Sequence, residues 1–476
     1  LLNLNLKFPQ NHKSWTEDIN GQWEAGDQFL YKLGNDADQI IGRTRLFPII
    51  LTLITALLIY ILSKELLGKW WALLPTFLFG FSPTVLAHGH YVTTDIAATF
   101  GTIFATFTFV KFLLHPSRTH LIISGLGLGI AQLLKFSMVL LIPYFLILTL
   151  VLAFTRFQNK SFWYYLRSLL FICLIALLII YLVYLIFTLN YPQAKQISDT
   201  TAILASFNPY PLAAMVIKMA YNPILRPLAH YLLGFLMVLQ RAAGGNTVYF
   251  LGEVSATGSK IYFPLTFLMK ESLPALLLIF PALMLGVWNI LKIVFRKSNQ
   301  MLSAIKNYLG TNFAEFAMLL FIIIYVANSI NSALNIGVRH LLPIFPFIYI
   351  LTAGGIKLLK KRFVYGLVII LAFWQLGETT VASPHFLSYF NEAAGGSSGY
   401  RYVTDSNYDW GQDLKRLKDF TVRHSIQKIA VDYFGGGNPK YYLGEIEEDW
   451  RSAKDSPKDF GIEWLAISVN TLEGAV

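Results

Sequence analysis

The sequence predicts an α-helical, polytopic membrane protein that ends in a small α/β portion outside the bilayer. Three observations predict it. First, 55% of the 476 residues are apolar and only 14% are charged, against about 25% charged in soluble globular proteins. Second, the apolar residues fall into runs of about 20, the length a helix needs to cross a bilayer. Third, the composition changes after residue 381, where charge density rises and short strand-like runs appear. An ordinary soluble enzyme and a disordered chain are both excluded by the first two.

Ten apolar runs are candidate spans: roughly 46–63, 70–87, 95–114, 120–134, 137–155, 168–189, 273–291, 313–328, 341–356 and 363–380. The fourth is short and meets the fifth at Lys135. The connections set the orientation. Alternate loops carry Lys64 and Lys69; Arg118; Arg156, Lys160 and Arg167; Lys292, Arg296, Lys297 and Lys306; and Lys357, Lys360, Lys361 and Arg362. By the positive-inside rule these five loops are cytoplasmic. The formal net charge of +11, from 38 Lys+Arg and 27 Asp+Glu, is therefore mostly a topology signal, and nucleic acid is not an expected partner. The protein reads as a multi-pass protein of the cell (plasma) membrane.

The other face receives residues 1–45, the loop AHGHYVTTD, the turn at Lys135, the stretch 190–272, the loop NSINSALNIGVRH and everything from 381 onward. The domain reading follows: an outer loop at 1–45, a membrane domain at 46–380 with a long outer loop at 190–272, and an outer α/β domain at 381–476. Stretch 190–272 is too long for a passive connection. Its apolar part, PLAAMVIKMAYNPILRPLAHYLLGFLMVLQ, contains Lys218, Arg226, His230 and three prolines. That suits a helix in the interface, or one packed over a cavity, better than an eleventh span. Beyond 381, KIAVDYF at 428–434 and WLAIS at 464–468 read as strands between Gly-, Pro- and Asp-rich turns. The first residue is Leu, no secretory segment opens the chain, and the last residues stop inside a strand and turn, so the sequence reads as a fragment open at both ends. The single cysteine, Cys173, lies in an apolar run and reads as a buried, inert thiol.

Five polar clusters collect on the outer face. In GNDADQIIGRTRLF, Asp36, Asp38, Arg43 and Arg45 precede a span. The acids suit a helix start as caps or dipole partners, or the four residues close a polar site. In SPTVLAHGHYVTTDIAATF, His88, His90 and Asp95 lie within eight residues. Asp95 is a helix cap, a metal ligand together with the two histidines, or an acid facing a cavity, where an ionisable residue marks a functional site. In AQLLKFSMVLL, Lys135 snorkels to the interface or meets an anionic head group. In NTVYFLGEVSATGSKIYFPLTFLMKESLP, Lys270 stands before a span on the outer side, which calls for a partner: a phosphate, Glu271 or Glu253. In NSALNIGVRHLLPIFPF, Arg339 and His340 follow Gly337 at the mouth of a span, and arginine's planar fork suits phosphate.

Lys135, Lys270 and Arg339 are thus cations at one depth on one face, with carboxylates beside them. That combination suits group transfer from a phosphorylated lipid, in which cations stabilise the departing phosphate and a carboxylate acts on the acceptor hydroxyl.

These motifs, with YFNEAAGGSSGYRYVTDSNYDWGQDLKRL, follow one another in an order that resembles the bacterial members of the protein mannosyltransferase-like branch of the C-type (GT-C) glycosyltransferases. The resemblance spans essentially the whole chain. It implies a GT-C fold and a site at the extracytoplasmic face. It also implies transfer of one sugar, usually with inversion, from a polyprenyl-phosphate donor of undecaprenyl or dolichyl type. The acceptor is a protein, lipid or glycan. By matching position, Asp95 is similar to the acidic residue of the second outer loop. Lys270 and Arg339, with His340 beside them, are similar to basic residues near the donor phosphate. One departure stands out: the family's Asp-Glu outer loop, which carries the usual base, precedes the point where this sequence begins. Glu17 and Asp18 lack its context and read as surface residues. In DSNYDWGQDL, Asp409 and Trp410 either contact sugar or belong to a turn that docks the outer domain. No cofactor is called for, and a divalent metal is left open. A transporter or flippase, or a non-catalytic GT-C-like scaffold, is the alternative function.

Overall fold

The computed structural model describes residues 4–155, 160–295, 301–451 and 454–474. The loop cations Arg156, Arg296 and Lys297 lie outside the described residues.

The chain is mostly helical, and eight helical segments among the described residues are long and apolar enough to cross a bilayer. A short outer helix, α1 (Ala37–Thr44), leads into α2 (Leu46–Leu67). The second expected span is broken into α3 (Leu73–Gly80) and α4 (Pro83–His88). The break is local chemistry: Ser82 accepts from the Val85 N–H, and Pro83 takes the first helical position, where it restarts a helix but cannot continue one. Helices α5 (Asp95–Leu114) and α6 (Arg118–Leu134) follow. The latter has 17 residues, so it is shorter than a standard span. Lys135 ends it in extended conformation, and a 3₁₀ turn over Phe136–Leu140 leads into α7 (Leu141–Thr155). Helix α8 (Phe162–Thr188) completes this half. Cys173 on it is half-buried, so the expected full burial is not met: its neighbours Leu170, Phe171 and Leu174 face outward.

Glycine sets how closely α6 packs. A Cβ on Gly127 would stand 2.8 Å from the Thr108 hydroxyl of α5, and one on Gly125 would stand 2.7 Å from Ile175 of α8. Small residues let membrane helices approach where no hydrophobic drive separates protein from lipid.

The long outer stretch folds as α9 (Gln193–Ile203), α10 (Tyr210–Tyr221) and α11 (Arg226–Gly244), followed by an antiparallel pair, β1 (Val248–Phe250) and β2 (Glu253–Ser255). None of the three helices combines the length and apolarity of a span, in line with the expectation of no eleventh crossing. Helix α12 (Tyr262–Lys270) then leads to α13 (Leu273–Phe295), α14 (Phe313–Ile330), a 3₁₀ segment at Val338–Ile344 running into α15 (Phe345–Lys357), and α16 (Arg362–Ala382).

Two spans form the centre. The apolar windows of Asp95–Leu114 and Val338–Lys357 are 72% and 78% buried in the protein, against 22–39% for the other six. Their lower ends meet the loop cations: Lys111 pairs with Glu65 at 3.1 Å, and Lys357 Nζ donates to the Leu67 carbonyl at 3.0 Å. Their opposite ends carry Asp95 and Arg339.

After α16 the chain makes short 3₁₀ turns over the end of the helix bundle that carries Asp95 and Arg339. It then forms a parallel sheet, with β3 (Ile429–Asp432) between β4 (Glu447–Asp449) and β5 (Trp464–Ile467). Both expected strand runs are strands. The sheet is backed by the amphipathic α17 (Leu414–Arg423) through Leu417 and Phe420.

Candidate functional site

Three chain elements end at one point, and each delivers a charge. Asp95 opens the central helix α5 and is 1% exposed. Its Oδ1 accepts from Lys135 Nζ at 2.6 Å, and its Oδ2 accepts from Arg339 Nη1 at 3.2 Å. Lys135 reaches it because the chain leaves helical geometry there, and Arg339 because Gly337 turns the chain at φ +121°. One carboxylate between two cations leaves a net positive charge in a nearly dry place. A buried charge needs compensation, so the cluster is built to take an anion.

Arg339 is positioned by a segment that follows the last long apolar helix. Its Nε donates to Ser406 Oγ at 3.0 Å, and its guanidinium lies 4.3 Å over the Trp410 ring. Ser406 Oγ in turn donates to the Ile336 carbonyl at 2.6 Å. Next to it, the Asn407 carboxamide oxygen accepts from the Val338 N–H at 2.9 Å, and its amide donates to the Tyr262 hydroxyl at 2.9 Å. Segment 404–410 therefore clasps the turn that presents Arg339. Gly337 makes room for this: a Cβ there would stand 2.1 Å from Ser406 Oγ. Gly337→Ala is expected to displace Ser406 and to destabilise the protein by about 1–3 kcal/mol through strain and overpacking. Thermal unfolding of the purified variant measures this, and an unchanged midpoint would show that the clasp is slack.

Beside the triad lies a cavity of ≈390 Å³. Its lining includes the polar Thr94, Lys135, Asn328 and His340 and the apolar Leu134, Phe136, Leu140 and Val238. The His340 Nε2 is buried with no hydrogen-bond partner among the described residues. The volume falls in the range of small-molecule sites, about 300–1,000 Å³.

The remaining sequence candidates do not all join this group. Lys270 is expected from the sequence to hold a phosphate or an acid, and its donors go to backbone carbonyls instead. Its Nζ donates to the carbonyls of Leu387 at 2.8 Å, Asn407 at 2.7 Å and Tyr389, and it sits 4.3 Å from the Phe390 ring. Three carbonyls use all three of its donors, so Lys270 is the clamp that holds the post-membrane segment on the helices. Glu271 accepts instead from the Tyr349 hydroxyl at 2.9 Å, and Glu253 is exposed on β2. Lys270→Met leaves three buried acceptors bare. Each costs about 1–3 kcal/mol, so faster proteolytic cleavage within 386–410 is expected; cleavage at the wild-type rate would contradict the clamp.

Asp36 is a helix cap, its side chain accepting from the Gln39 N–H at 2.9 Å. Asp38 pairs with Lys415 at 2.8 Å and accepts from Tyr442 at 3.2 Å, which ties the outer loop to the C-terminal sheet module. Arg43 lies in the last turn of α1, and Arg45 stands 5.5 Å over the Tyr91 ring. His88 is buried against the edges of Tyr91 and Trp410, and its Nδ1 has no partner among the described residues. His90 turns its Nδ1 to the Leu86 carbonyl at 2.8 Å. His88, His90 and Asp95 thus do not converge as metal ligands, and among the described residues no three His, Cys, Asp or Glu do. Asp409 accepts from the N–H groups of Gly411 at 3.0 Å and Val469 at 2.9 Å, the docking alternative, whereas Trp410 reaches the site through Arg339. Glu17 and Asp18 are exposed. Sequence reasoning missed Ser406, Asn407 and Tyr262; the tight Asp-Ser-Asn turn before an aromatic pair was the signal for the first two.

Residues 29–181 match the family model described as dolichyl-phosphate-mannose-protein mannosyltransferase, in agreement with the resemblance carried by the motifs. No curated protein matches the sequence. Among solved structures, the chain is similar to the apo oligosaccharyltransferase of Archaeoglobus fulgidus at 13% identity and a TM-score of 0.44, covering 89% of this chain and 55% of that one. It is also similar to AglB of the same organism, solved with an inhibitory peptide and a dolichol-phosphate, at 14% identity and a TM-score of 0.42, covering 85% and 53%. ArnT from Cupriavidus metallidurans matches at 13% identity and a TM-score of 0.27, covering 98% and 80%. The chain spans about half the length of the archaeal proteins it matches.

Proposed function

We propose that this chain, protein-mannosyltransferase-like over residues 29–181, is a membrane glycosyltransferase that moves one sugar from a polyprenyl-phosphate donor to an acceptor at the extracytoplasmic face. One observation carries the reading: the net-positive Asp95–Lys135–Arg339 triad contributes Lys135 to the lining of a largely apolar cavity. A lipid phosphate has the matching chemistry, an anionic head on an apolar tail.

Lys135 uses one donor on Asp95 and keeps two, and Arg339 Nη2 forms no hydrogen bond among the described residues. These groups, with the His340 Nε2, receive the phosphate. As the bond from the anomeric carbon to the phosphate oxygen breaks, negative charge grows on the leaving phosphate. Cations fixed in advance stabilise that charge without reorganising, and such preorganised stabilisation usually contributes more to the rate than any other effect. Asp95 has both oxygens engaged, so its role is to aim the two cations rather than to take the acceptor's proton. The apolar wall accommodates the first units of the lipid.

The test is full-length protein in liposomes with a radiolabelled polyprenyl-phosphate hexose. Label is expected to move to an added acceptor, with polyprenyl phosphate released. Passage of intact donor across sealed vesicles with no covalent product would replace this reading by a flippase.

A further inference from the structure

Helices α9–α11 form a unit with its own core, in which Leu204 and Val216 pack against Leu233 and Leu236. Helix α11 serves two neighbours: it turns Leu233 and Leu236 to that core and Val238 and Ala242 to the cavity. Helix α10 is different. It buries Ala213, Val216 and Ala220 against the unit but leaves large apolar side chains outside. Leu212 is 42% exposed, Met215 46% and, just beyond the helix end, Ile224 69%.

What covers that face follows from continuity. Helix α8 is long and apolar enough to cross a bilayer, and at its C-terminal end Ile186, Phe187 and the following Leu189 are bare too, at 69%, 70% and 68%. The chain passes from this lipid-facing end, within four residues, into α9. Lys218 lies on the exposed side of α10, near Met215, with no ion pair among the described residues. A long cationic side chain among apolar neighbours fits the boundary between acyl chains and lipid phosphates.

We propose that α10 and the turn after it lie in the bilayer leaflet on the Asp95 side, with Leu212, Met215 and Ile224 among the acyl chains and Lys218 at the lipid phosphates. The unit is then a lipid-seated roof, and α11 covers the cavity at the depth where a lipid-linked substrate carries its phosphate. The seating rests on the exposed face alone; its consequence for substrate rests on the proposed function.

The test replaces the sole cysteine, Cys173, by serine and places single cysteines at Met215, Ile224 and Lys440 of the full chain. Lys440 lies in the C-terminal module with its side chain 66% exposed. Spin labels on the protein in phospholipid liposomes then report collisions with oxygen, which concentrates in lipid, and with a water-soluble nickel chelate. At 215 and 224 oxygen is expected to dominate, and at 440 the chelate. Chelate dominance at 215 and 224, matching 440, would overturn the seating, and so would protection of both from either reagent, since that is the mark of a covering protein. A second variant, Met215→Glu with Ile224→Glu, is expected to lose about tenfold in transfer from a long-chain donor in liposomes, because charge is driven out of the acyl region. Its transfer from a short-chain, detergent-soluble donor is expected to stay near wild type. Equal loss with both donors would overturn the link between seat and substrate. Lipid-type collisions in a protein that uses neither donor would uphold the seat and overturn the proposed function.

Discussion

Asp95→Ala is expected to abolish transfer and to lower stability by about 3–5 kcal/mol, the cost of breaking a buried ion pair from one side. The carboxylate is 1% exposed and is the shared partner of Lys135 and Arg339, so its loss leaves two cations facing each other with nothing between them. Asp95→Asn separates shape from charge. The amide oxygen still accepts from Lys135, but the attraction that aims both cations is gone. The asparagine variant should therefore regain much of the stability and little of the activity, remaining about 100-fold or more below wild type. Intrinsic fluorescence during heating reports the first quantity, since the chain has ten tryptophans, and initial rates of label transfer report the second. Wild-type rates in the asparagine variant would sink the idea that Asp95 works through its charge.

Arg339→Ala should cost about 10²–10³ in rate, the scale for removing one preorganised donor to a developing anion. The more telling variant is Arg339→Lys. It keeps the charge but loses the Nε bond to Ser406 and the planar contact with Trp410. An ammonium is a point charge without a planar fork, so it cannot stack on the Trp410 ring while holding Ser406 and Asp95 in the guanidinium's geometry. A loss of at least about tenfold is expected for lysine, and Trp410→Ala should reproduce part of it. Full activity in Arg339→Lys would mean that charge alone suffices and that the clasp from segment 404–410 has no part in positioning.

The spans are legible because a bilayer imposes one length on every crossing, and apolar runs report that length directly. The break at Ser82-Pro83 is written in the sequence too, as a cap followed by a proline at the first helical position. Asp95, Lys135 and Arg339 stand out because a charge at a helix end is costly without a partner. Lys270 gives the same signal for a different reason. Its partners are the carbonyls of residues 387, 389 and 407, more than a hundred positions away, and backbone carbonyls leave no mark in a sequence. Asp36 and Asp38 show the converse. Each is polar and close to a span, yet one satisfies its own helix and the other reaches a lysine 377 positions later. Trp410 gives a signal of type but not of place, since nothing local says that it ends under Arg339.

The clasp at 404–410 also sets a date for activity. Chains are made from the N-terminus, so Asp95 and Lys135 are in place early, and Arg339 joins them only when the late spans insert. Even then Arg339 lacks Ser406 and Trp410 until translation has run past the final helix, and Lys270 waits for the same segment. A chain still on the ribosome therefore has every charge of the triad and no clasp around Arg339 until segment 404–410 has folded back onto the helices.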